Sequence, residues 1–501
     1  MSKNNIQQIE IKIQKKSKQL VVIQILLFIT MFLTFAYLWA QATFGNIGME
    51  EIVFHLNMPL KGTPHEMFLD FFLKVICLTV LFGSIAAYAL TLSKWVRKNI
   101  VVFTVVSSIV LSMWTIGLLY IANNAFGFTE YMQDRSEASS FIAEHYVDPD
   151  GVNLTFPNEK RNLICIYVES AESSLQDKAN GGGFDINYIP EMTALAQQNI
   201  SFSQNNFMIG ASVAPYSNWT IAALVAETAG IPLKLANTDN LGAKMGEYDD
   251  FLPGVISLGD ILKNADYQNY FMAGSDFDFG GRTEYFTQHG DYEIWDYYTA
   301  IENEKIPSDY YEWWGFEDKK LYEYAKEELL KIAADDKPFN FSLLTVDTHF
   351  EDGYVCPDCN LMEEGGRYAN VWRCASRQLD EFVTWIQQQD FYKNTTIVIL
   401  GDHLTMDVDF FDNIVVDRGV YNTFINTTIE PINEKNRKFT TMDFFPTVLA
   451  AMGVEIEGNR LGLGTNLFSE KSTISEDVGY DVFYEELGKI SEFYNEELLF
   501  P

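Results

Sequence analysis

Cysteine and basic residues are scarce in this sequence, and each scarcity narrows what the protein can be. Only five cysteines occur among the 501 residues. A zinc site built on the Cys-x-x-Cys pair Cys356 and Cys359 would need two further ligands, which the neighbouring sequence does not supply. Lys and Arg number 35 against 69 Asp and Glu, which gives a net charge of −34. Nucleic-acid phosphates repel such an acidic chain, so no nucleic-acid partner is expected.

Three of the five cysteines, Cys356, Cys359 and Cys374, fall in one segment of the chain. A Cys359–Cys374 disulfide with Cys356 left over is one interpretation, and three free thiols are the other. Cys77 falls in an apolar run and Cys165 in a predicted core strand, so both are expected to be inert.

Long apolar runs, in contrast, are concentrated before residue 125. Leu20–Ala40, Phe72–Leu92 and Ile100–Ala122 each approach or pass the roughly 20 residues that span a bilayer as a helix. The first run is too long for a cleavable signal peptide and lacks an Ala-x-Ala-like site behind it. The sequence therefore predicts a membrane anchor of three helices in residues 1–124.

Charge predicts the orientation of this anchor. Basic residues precede the first run and separate the second from the third: Lys12, Lys15, Lys16, Lys18, Lys94, Arg97 and Lys98. By the positive-inside rule both segments are cytoplasmic, so the chain after the third run lies outside the cytoplasm. We expect an integral protein of the inner cell membrane with a cytoplasmic N-terminus and an extracytoplasmic domain. Residues 1–124 carry ten Lys/Arg and five Asp/Glu, which leaves −39 on residues 125–501, mostly as solvated surface.

Beyond the anchor, residues 125–160 are predicted to be a linker, with a short helix over Ser136–His145. Strand-like and helix-like segments then alternate, which predicts an α/β domain over residues 161–470 with a mainly parallel central sheet. The predicted helices are Pro190–Gln198, Trp219–Ala229, Ile256–Ala265, Asp318–Ala334, Arg377–Gln389 and Thr441–Gly453. The predicted extended segments are Asn162–Val168, Ile200–Phe207, Asn269–Ala273, Phe339–Val346 and Thr395–Gly401. Residues 471–501 form an acidic tail that is predicted to be helical.

Three of the predicted strands run directly into acidic or histidine residues. Those residues are, in chain order, Glu169, Asp347-Thr348-His349 and Asp402-His403. The carboxyl ends of parallel strands meet at one edge of a sheet, where open α/β sheets bind their ligands. Glu169, Asp402 and His403 together suit a divalent ion, and carboxylate-rich sites favour Mn²⁺ or Mg²⁺ over Zn²⁺.

A candidate nucleophile lies in the segment Tyr216–Leu224. Ser217 or Asn218 is expected to cap the helix that follows, which would place Thr220 in its first turn. Backbone N–H groups and the positive end of the helix dipole would there face an incoming phosphate. A threonine hydroxyl is a weak nucleophile at its ordinary pKa, and metal coordination is one way to activate it.

These residues indicate that the domain is similar to a known protein family. It resembles the membrane-anchored phosphoglycerol transferases of the alkaline phosphatase and sulfatase superfamily, which include the lipoteichoic acid synthases and phosphoglycerol transferase I. The segments that carry the resemblance are Asn162–Ser174, Asn218–Leu233, Ser257–Gly274, Thr345–His349, Gly401–Met406 and Thr441–Leu467. The resemblance covers about residues 130–470 and implies the alkaline phosphatase/sulfatase fold.

The resemblance also implies roles for individual residues. One Mn²⁺-like ion would be held by Glu169, Thr220, Asp402 and His403, with Thr220 as the nucleophile. His349 and Arg282 would contact the substrate phosphate or glycerol, and Trp219 is assigned to the pocket wall, although a core position is the alternative. Phe279-Gly280-Gly281-Arg282 departs from the lipoteichoic acid synthases, which carry an aromatic residue where a glycine stands here.

The expected activity is transfer of glycerophosphate from phosphatidylglycerol to a hydroxyl acceptor, through a covalent phospho-threonine. The acceptor, an envelope glucan, a glycolipid or a glycerophosphate polymer, stays open. Sulfatases need Cys/Ser-x-Pro-x-Arg for their formylglycine, and no such motif occurs in this sequence. The alternatives are a phosphoethanolamine transferase, a phosphodiesterase or other hydrolase on the same site, and a catalytically silent binding module.

Overall fold

The computed structural model describes residues 3–45, 47–58, 63, 65–235, 250–335, 337–359, 365–411 and 414–501. The chain divides into two compact units. The first comprises residues 1–49 and 63–129, and the second comprises residues 50–62 and 130–501. The boundaries of the predicted linker, catalytic domain and tail remain predictions.

The first unit contains three helices that are long and apolar enough to cross a membrane, Lys18–Phe44, His65–Leu92 and Ile100–Phe126. They contain the three predicted runs, so the expected set of membrane helices is confirmed by length and composition. Few polar contacts join them; one is between the hydroxyls of Thr30 and Thr115, which lie 3.1 Å apart. The other helices before residue 150 are Met49–Asn57, Lys94–Lys98, Phe128–Asp134 and Phe141–His145.

A six-stranded sheet forms the centre of the second unit. Its strands are β1 Asn162–Val168, β2 Gln268–Ala273, β3 Glu293–Trp295, β4 Phe339–Leu344, β5 Thr395–Gly401 and β6 Asn422–Ile425. Their order across the sheet is β3-β2-β4-β1-β5-β6, and all neighbours are parallel except β5 and β6. The predicted α/β domain with a mainly parallel sheet is therefore confirmed. β1, β4 and β5 are apolar and buried almost throughout, as strands covered on both faces must be.

Helices cover both faces of this sheet. The α-helices are Pro190–Gln198, Thr220–Ala229, Leu258–Asn264, Arg282–Gln288, Tyr297–Glu302, Asp318–Ile332, Gly366–Gln387, Phe444–Ala451, Ile474–Val478 and Tyr480–Gly488. Two short antiparallel pairs lie outside the sheet: Leu154–Thr155 with Glu455–Ile456, and Arg460–Leu461 with Gly464–Thr465. The tail folds back on the domain, since Tyr494 Oη donates to Pro232 O at 2.7 Å.

Several sequence-based boundaries were wrong. Ile200–Phe207 forms no strand; only Ile200 makes an isolated bridge, to Phe424 of β6. The helix expected at Arg377 begins at Gly366, eleven residues earlier, because the segment before Arg377 also has a buried face, which includes Tyr368, Val371 and Trp372. The helix expected over Ser136–His145 is confined to Phe141–His145.

The structure pairs Cys359 with Cys374 as a disulfide, with Cys356 as a buried free thiol beside it. This matches the first of the two interpretations of the cysteine pattern. Burial raises the pKa of the Cys165 thiol to about 12, as expected of an inert core cysteine.

Candidate functional site

The register of the sheet brings the three predicted metal ligands together. Val168 of β1 pairs with Gly401 of β5, so the next residues, Glu169 and Asp402, leave the sheet side by side. The Nε2 atom of His403 lies 3.4 Å from Glu169 Oε1 and 3.4 Å from Asp402 Oδ2. All three side chains are buried. We call Glu169, Asp402 and His403 the triad.

Hydrogen bonds with neighbouring residues fix the orientation of each triad residue. Asp402 Oδ1 accepts from the N–H groups of Ser170, at 2.7 Å, and His403, at 2.8 Å. His403 Nδ1 lies 2.9 Å from the carbonyl of Leu404, to which it donates, and Nε2 is thereby directed at the two carboxylates. Ser170 Oγ donates to Glu169 Oε1 at 2.9 Å.

The pKa values of the three triad side chains are shifted in different directions. Burial opposes ionisation of Glu169, but the charge of His403 and a hydrogen bond from it lower the pKa of Glu169 to about 2. Burial alone would lower the pKa of His403; Asp402 and Glu169 instead raise it to about 10. Burial and the Glu169 charge raise the pKa of Asp402 to about 7. The imidazolium thus supplies the positive charge that two adjacent buried carboxylates require.

The triad fits a divalent cation. One ligand atom from each residue lies within 4.8 Å of the others, and metal–ligand bonds of about 2.0 to 2.2 Å place neighbouring ligand atoms about 3.0 to 3.5 Å apart. Asp402 Oδ2 is buried and accepts no hydrogen bond from any residue that the structure describes. A buried carboxylate oxygen without a hydrogen bond is costly, and a metal bond would satisfy it.

Thr220 stands beside the triad at the start of the helix Thr220–Ala229. Its Oγ1 donates to Glu169 Oε2 across 3.5 Å, and the residue is half-buried. The expected cap was wrong: Trp219 occupies the cap position, while Ser217 Oγ bonds to Ala214 instead. The side chain of Asn218 is also diverted, because its Oδ1 accepts from Leu404 N. Side-chain capping is absent from this helix, so the backbone N–H groups of its first turn have no side-chain acceptor.

Arg282 lies at the start of the helix Arg282–Gln288 and is buried. Its Nη2 donates to Asp276 O at 2.7 Å and to Ser275 Oγ at 3.3 Å, whereas its Nε has no partner among the described residues. Burial lowers the pKa of Arg282 to about 10, against the attraction of Glu169, so the group remains charged at neutral pH. A buried guanidinium with a free donor, electrostatically coupled to the triad, is suited to binding an anion.

His349 and Trp219 complete the set predicted from the sequence. The His349 ring lies 4.5 Å from that of Trp314, and its Nδ1 lies 2.6 Å from Phe350 O. Burial lowers the pKa of His349, while Glu169 opposes this shift. Trp219 is buried, in the position expected of a core side chain, and its Nε1 has no partner among the described residues.

Sequence reasoning missed residues that support or border the site. Thr345 Oγ1 accepts from Glu169 N at 3.0 Å, and Thr348 Oγ1 donates to Glu169 O at 2.6 Å, so the segment after β4 fixes the backbone of this ligand. The position of Thr345 and Thr348 in the sequence, between β4 and His349, was the feature that could have identified them. Phe54 and His55, far upstream, contact Trp219 and Phe279, and no local pattern pointed to them.

Comparisons with known proteins agree with this fold. The sulfatase family model matches residues 161–454. The chain is 32% identical over 339 residues to phosphoglycerol transferase I of Salmonella choleraesuis (strain SC-B67), covering 66% of this chain and 42% of that protein. It is 30% identical over 353 residues to phosphoglycerol transferase I of Escherichia coli O127:H6, covering 69% and 43%. The chain thus spans less than half the length of these relatives.

Among solved structures, the lipoteichoic acid synthase LtaP from Listeria monocytogenes is 18% identical with a TM-score of 0.49, covering 66% of this chain and 81% of that one. A protein of the alkaline phosphatase superfamily from Vibrio parahaemolyticus is 19% identical with a TM-score of 0.49, covering 66% and 76%. The match to the family model extends over more than half of the chain and contains the whole triad. This protein belongs to the sulfatase family.

Proposed function

We propose that the protein transfers glycerophosphate from phosphatidylglycerol to a hydroxyl acceptor in two steps, with Thr220 as the nucleophile. The observation that carries the proposal is the Thr220 hydroxyl, which lies at a helix N-terminus and 3.5 Å from Glu169 of the triad. Relatives at 30–32% identity are named phosphoglycerol transferase I, which supports the choice of the transferred group. The acceptor is defined only by its free hydroxyl.

Each step exchanges one phosphorus–oxygen bond for another. Thr220 Oγ1 loses its proton and bonds to phosphorus, while the bond to diacylglycerol breaks and diacylglycerol leaves as an alcohol after gaining a proton. An acceptor hydroxyl then loses its proton and attacks the glycerophospho-threonine, and Thr220 regains its hydroxyl. Arg282 binds the phosphoryl oxygens, whose charge grows in both steps. His349, whose ring lies 4.5 Å from that of Trp314, is the other proposed substrate contact.

The triad and Thr220 would hold a divalent cation. We propose Mn²⁺, with Mg²⁺ or Zn²⁺ as alternatives. When bound, it would lower the pKa of the threonine hydroxyl and stabilise negative charge on the phosphoryl group. The backbone N–H groups of the first turn after Trp219 face the same region and favour an anion there. We also propose that the catalytic unit lies outside the cytoplasm, where it meets lipid headgroups of the outer leaflet.

The test is diacylglycerol release from phosphatidylglycerol vesicles by the full chain, with Mn²⁺ and with a chelator. We expect release from wild type with Mn²⁺ and none from Thr220→Ala or after chelation. Thr220→Ser keeps a hydroxyl at the same place and is the matched control, which should retain turnover. Full activity in Thr220→Ala would exclude the covalent route. Turnover of phosphatidylethanolamine instead, still dependent on Thr220, would keep the site and change the donor.

A further inference from the structure

A short segment between the first two candidate membrane helices belongs to the catalytic unit. We call residues 50–58 the inter-span segment; it comprises most of the helix Met49–Asn57 and the residue after it. By its contacts it groups with residues 130–501 and not with the membrane helices. Phe54 and Met58 are 1% and 6% exposed. Such burial of an isolated nine-residue segment requires a complementary surface on the domain that it covers.

That surface is the edge of the catalytic site. The Phe54 ring lies 5.5 Å from the ring of Trp219, the residue that precedes Thr220. The His55 ring stacks on Phe279 at 5.5 Å, and Phe279 in turn lies under the guanidinium of Arg282, at 5.9 Å. The inter-span segment therefore contacts both the nucleophile side and the Arg282 side of the site.

Gly281 explains why the segment can approach so closely. A Cβ atom at this position would lie 2.5 Å from Met58 Cε, nearer than real Cβ contacts allow. Gly281 also has a φ of +80°, which a residue with a side chain rarely adopts. Met58 thus occupies the space that a side chain at Gly281 would fill. At this point the site wall is formed by the inter-span segment and not by the loop Phe279–Arg282.

Glu51 is a buried acidic residue of the inter-span segment. Its side chain is 7% exposed, and its Oε1 lies 3.9 Å from His55 Nε2, too far for a hydrogen bond. No residue that the structure describes donates a hydrogen bond to it. Burial raises the pKa of Glu51 to about 8, with smaller effects from His403 and Glu169 of the triad. A largely buried carboxyl group that has only the His55 ring close to it among the described residues is suited to a ligand that donates hydrogen bonds.

We propose that Glu51 and His55 are substrate-binding residues that hold the glycerol hydroxyls of the donor headgroup, while Phe54 and Met58 close the site over Trp219 and Gly281. This inference rests on the proposed function and adds the residues that recognise the headgroup. Different side chains would bind the two parts of the headgroup. Arg282 suits the phosphate, and a carboxyl group with an imidazole suits the hydroxyl groups.

Burial lowers the pKa of His55 to about 4, so the ring is neutral and offers both a donor and an acceptor. A neutral imidazole beside a buried carboxyl group offers the donors and acceptors that the two hydroxyls of a diol require. Phosphatidylglycerol and phosphatidylethanolamine share the phosphate, but the first has a diol where the second has an ammonium group. Comparing the two lipids therefore tests whether the site prefers a diol.

The test measures KM and kcat of the full chain on phosphatidylglycerol vesicles, alongside hydrolysis of bis(p-nitrophenyl) phosphate, which has no glycerol. Glu51→Ala should raise KM for the lipid about tenfold, the effect of one lost hydrogen bond in a buried site. Glu51→Gln should recover part of that loss. Hydrolysis of the nitrophenyl ester and the amount of bound Mn²⁺ should change much less than the KM for the lipid, because neither depends on the glycerol hydroxyls.

Phe54→Ala tests the apolar half of the proposal, and Leu56→Ala is its control because Leu56, on the same helix, is 74% exposed. Only the first should raise KM for the lipid. Equal losses on lipid and nitrophenyl ester, or loss of Mn²⁺ in Glu51→Ala, would overturn the inference and assign Glu51 to the metal centre. Unchanged KM in every variant would also overturn it. A wild type inactive on phosphatidylglycerol would instead refute the proposed function.

Discussion

The buried aspartate of the triad and the buried aspartates elsewhere in the domain differ in how their oxygens are satisfied. At Asp443, Oδ1 accepts from Thr465 N at 2.7 Å and Oδ2 accepts from Thr440 N at 2.8 Å. In the triad, Asp402 has one satisfied oxygen, while its Oδ2 accepts no hydrogen bond from any described residue. Both side chains are at most 3% exposed. Burial therefore does not distinguish these two aspartates, and the number of satisfied oxygens does.

Asp318 follows the structural pattern as well. Its Oδ1 accepts from Val346 N at 2.7 Å and its Oδ2 from Asp347 N at 3.1 Å, so it fixes the chain just beyond β4. Like Asp402, it has its pKa raised to about 7 by burial. A raised pKa therefore does not identify the site either. The comparison predicts that removing Asp402 costs metal binding, whereas removing a structural aspartate costs stability alone.

The largest effect is expected for the triad. Asp402→Ala should reduce diacylglycerol release by about 10³-fold or more, because a metal ligand is lost from the centre of the site. Bound Mn²⁺, measured after gel filtration, should fall with it. The melting temperature in chelator should fall as well, because the N–H groups of Ser170 and His403 lose their acceptor, so the loss of metal is the result that separates this variant from Asp443→Ala. Retained metal in this variant would show that Asp402 is structural.

The next effect concerns stability and not activity. Asp443→Ala leaves the N–H groups of Thr440 and Thr465 without an acceptor, at a cost of about 3 kcal/mol in the free energy of unfolding. Denaturant unfolding monitored by tryptophan fluorescence would measure it. The remaining folded protein should bind Mn²⁺ and turn over lipid at the wild-type rate. Loss of metal without loss of stability would contradict the distinction between the two groups.

The smallest effect is a pH dependence of metal binding. Without metal, the pKa of His403 is raised to about 10, so at pH 6 to 8 its imidazole carries a proton that a metal on Nε2 must displace. Metal binding therefore releases at least one proton, and the apparent affinity for Mn²⁺ should rise by at least about tenfold per pH unit, more steeply below pH 7, where Asp402 is also protonated. Calorimetric titration between pH 6 and 8 would measure the slope. Asp443→Ala should show the same slope, and a pH-independent affinity would exclude this competition.

The position of the triad could be predicted from the sequence because its ligands follow strands with strong local patterns. Asn162–Val168 and Thr395–Gly401 are continuous apolar runs, and residues that follow parallel strands reach the same sheet edge whatever the details of packing. The helix that begins at Thr220 was predicted for a similar reason, from its own composition. The error in its cap arose because Ser217 and Asn218 found partners at Ala214 and Leu404, which no helix-start pattern reveals.

Taken by itself, the sequence determined the membrane helices, the parallel sheet and the edge where acidic and histidine residues collect, since each depends on residues that are neighbours in the chain. Tertiary structure alone decided which oxygen of Asp402 stays unsatisfied, and it alone brought Phe54 to Trp219. Those two rings are 165 positions apart in the sequence and 5.5 Å apart in space. Contacts of that kind arise from packing between distant segments, and packing leaves no periodic signal in either segment.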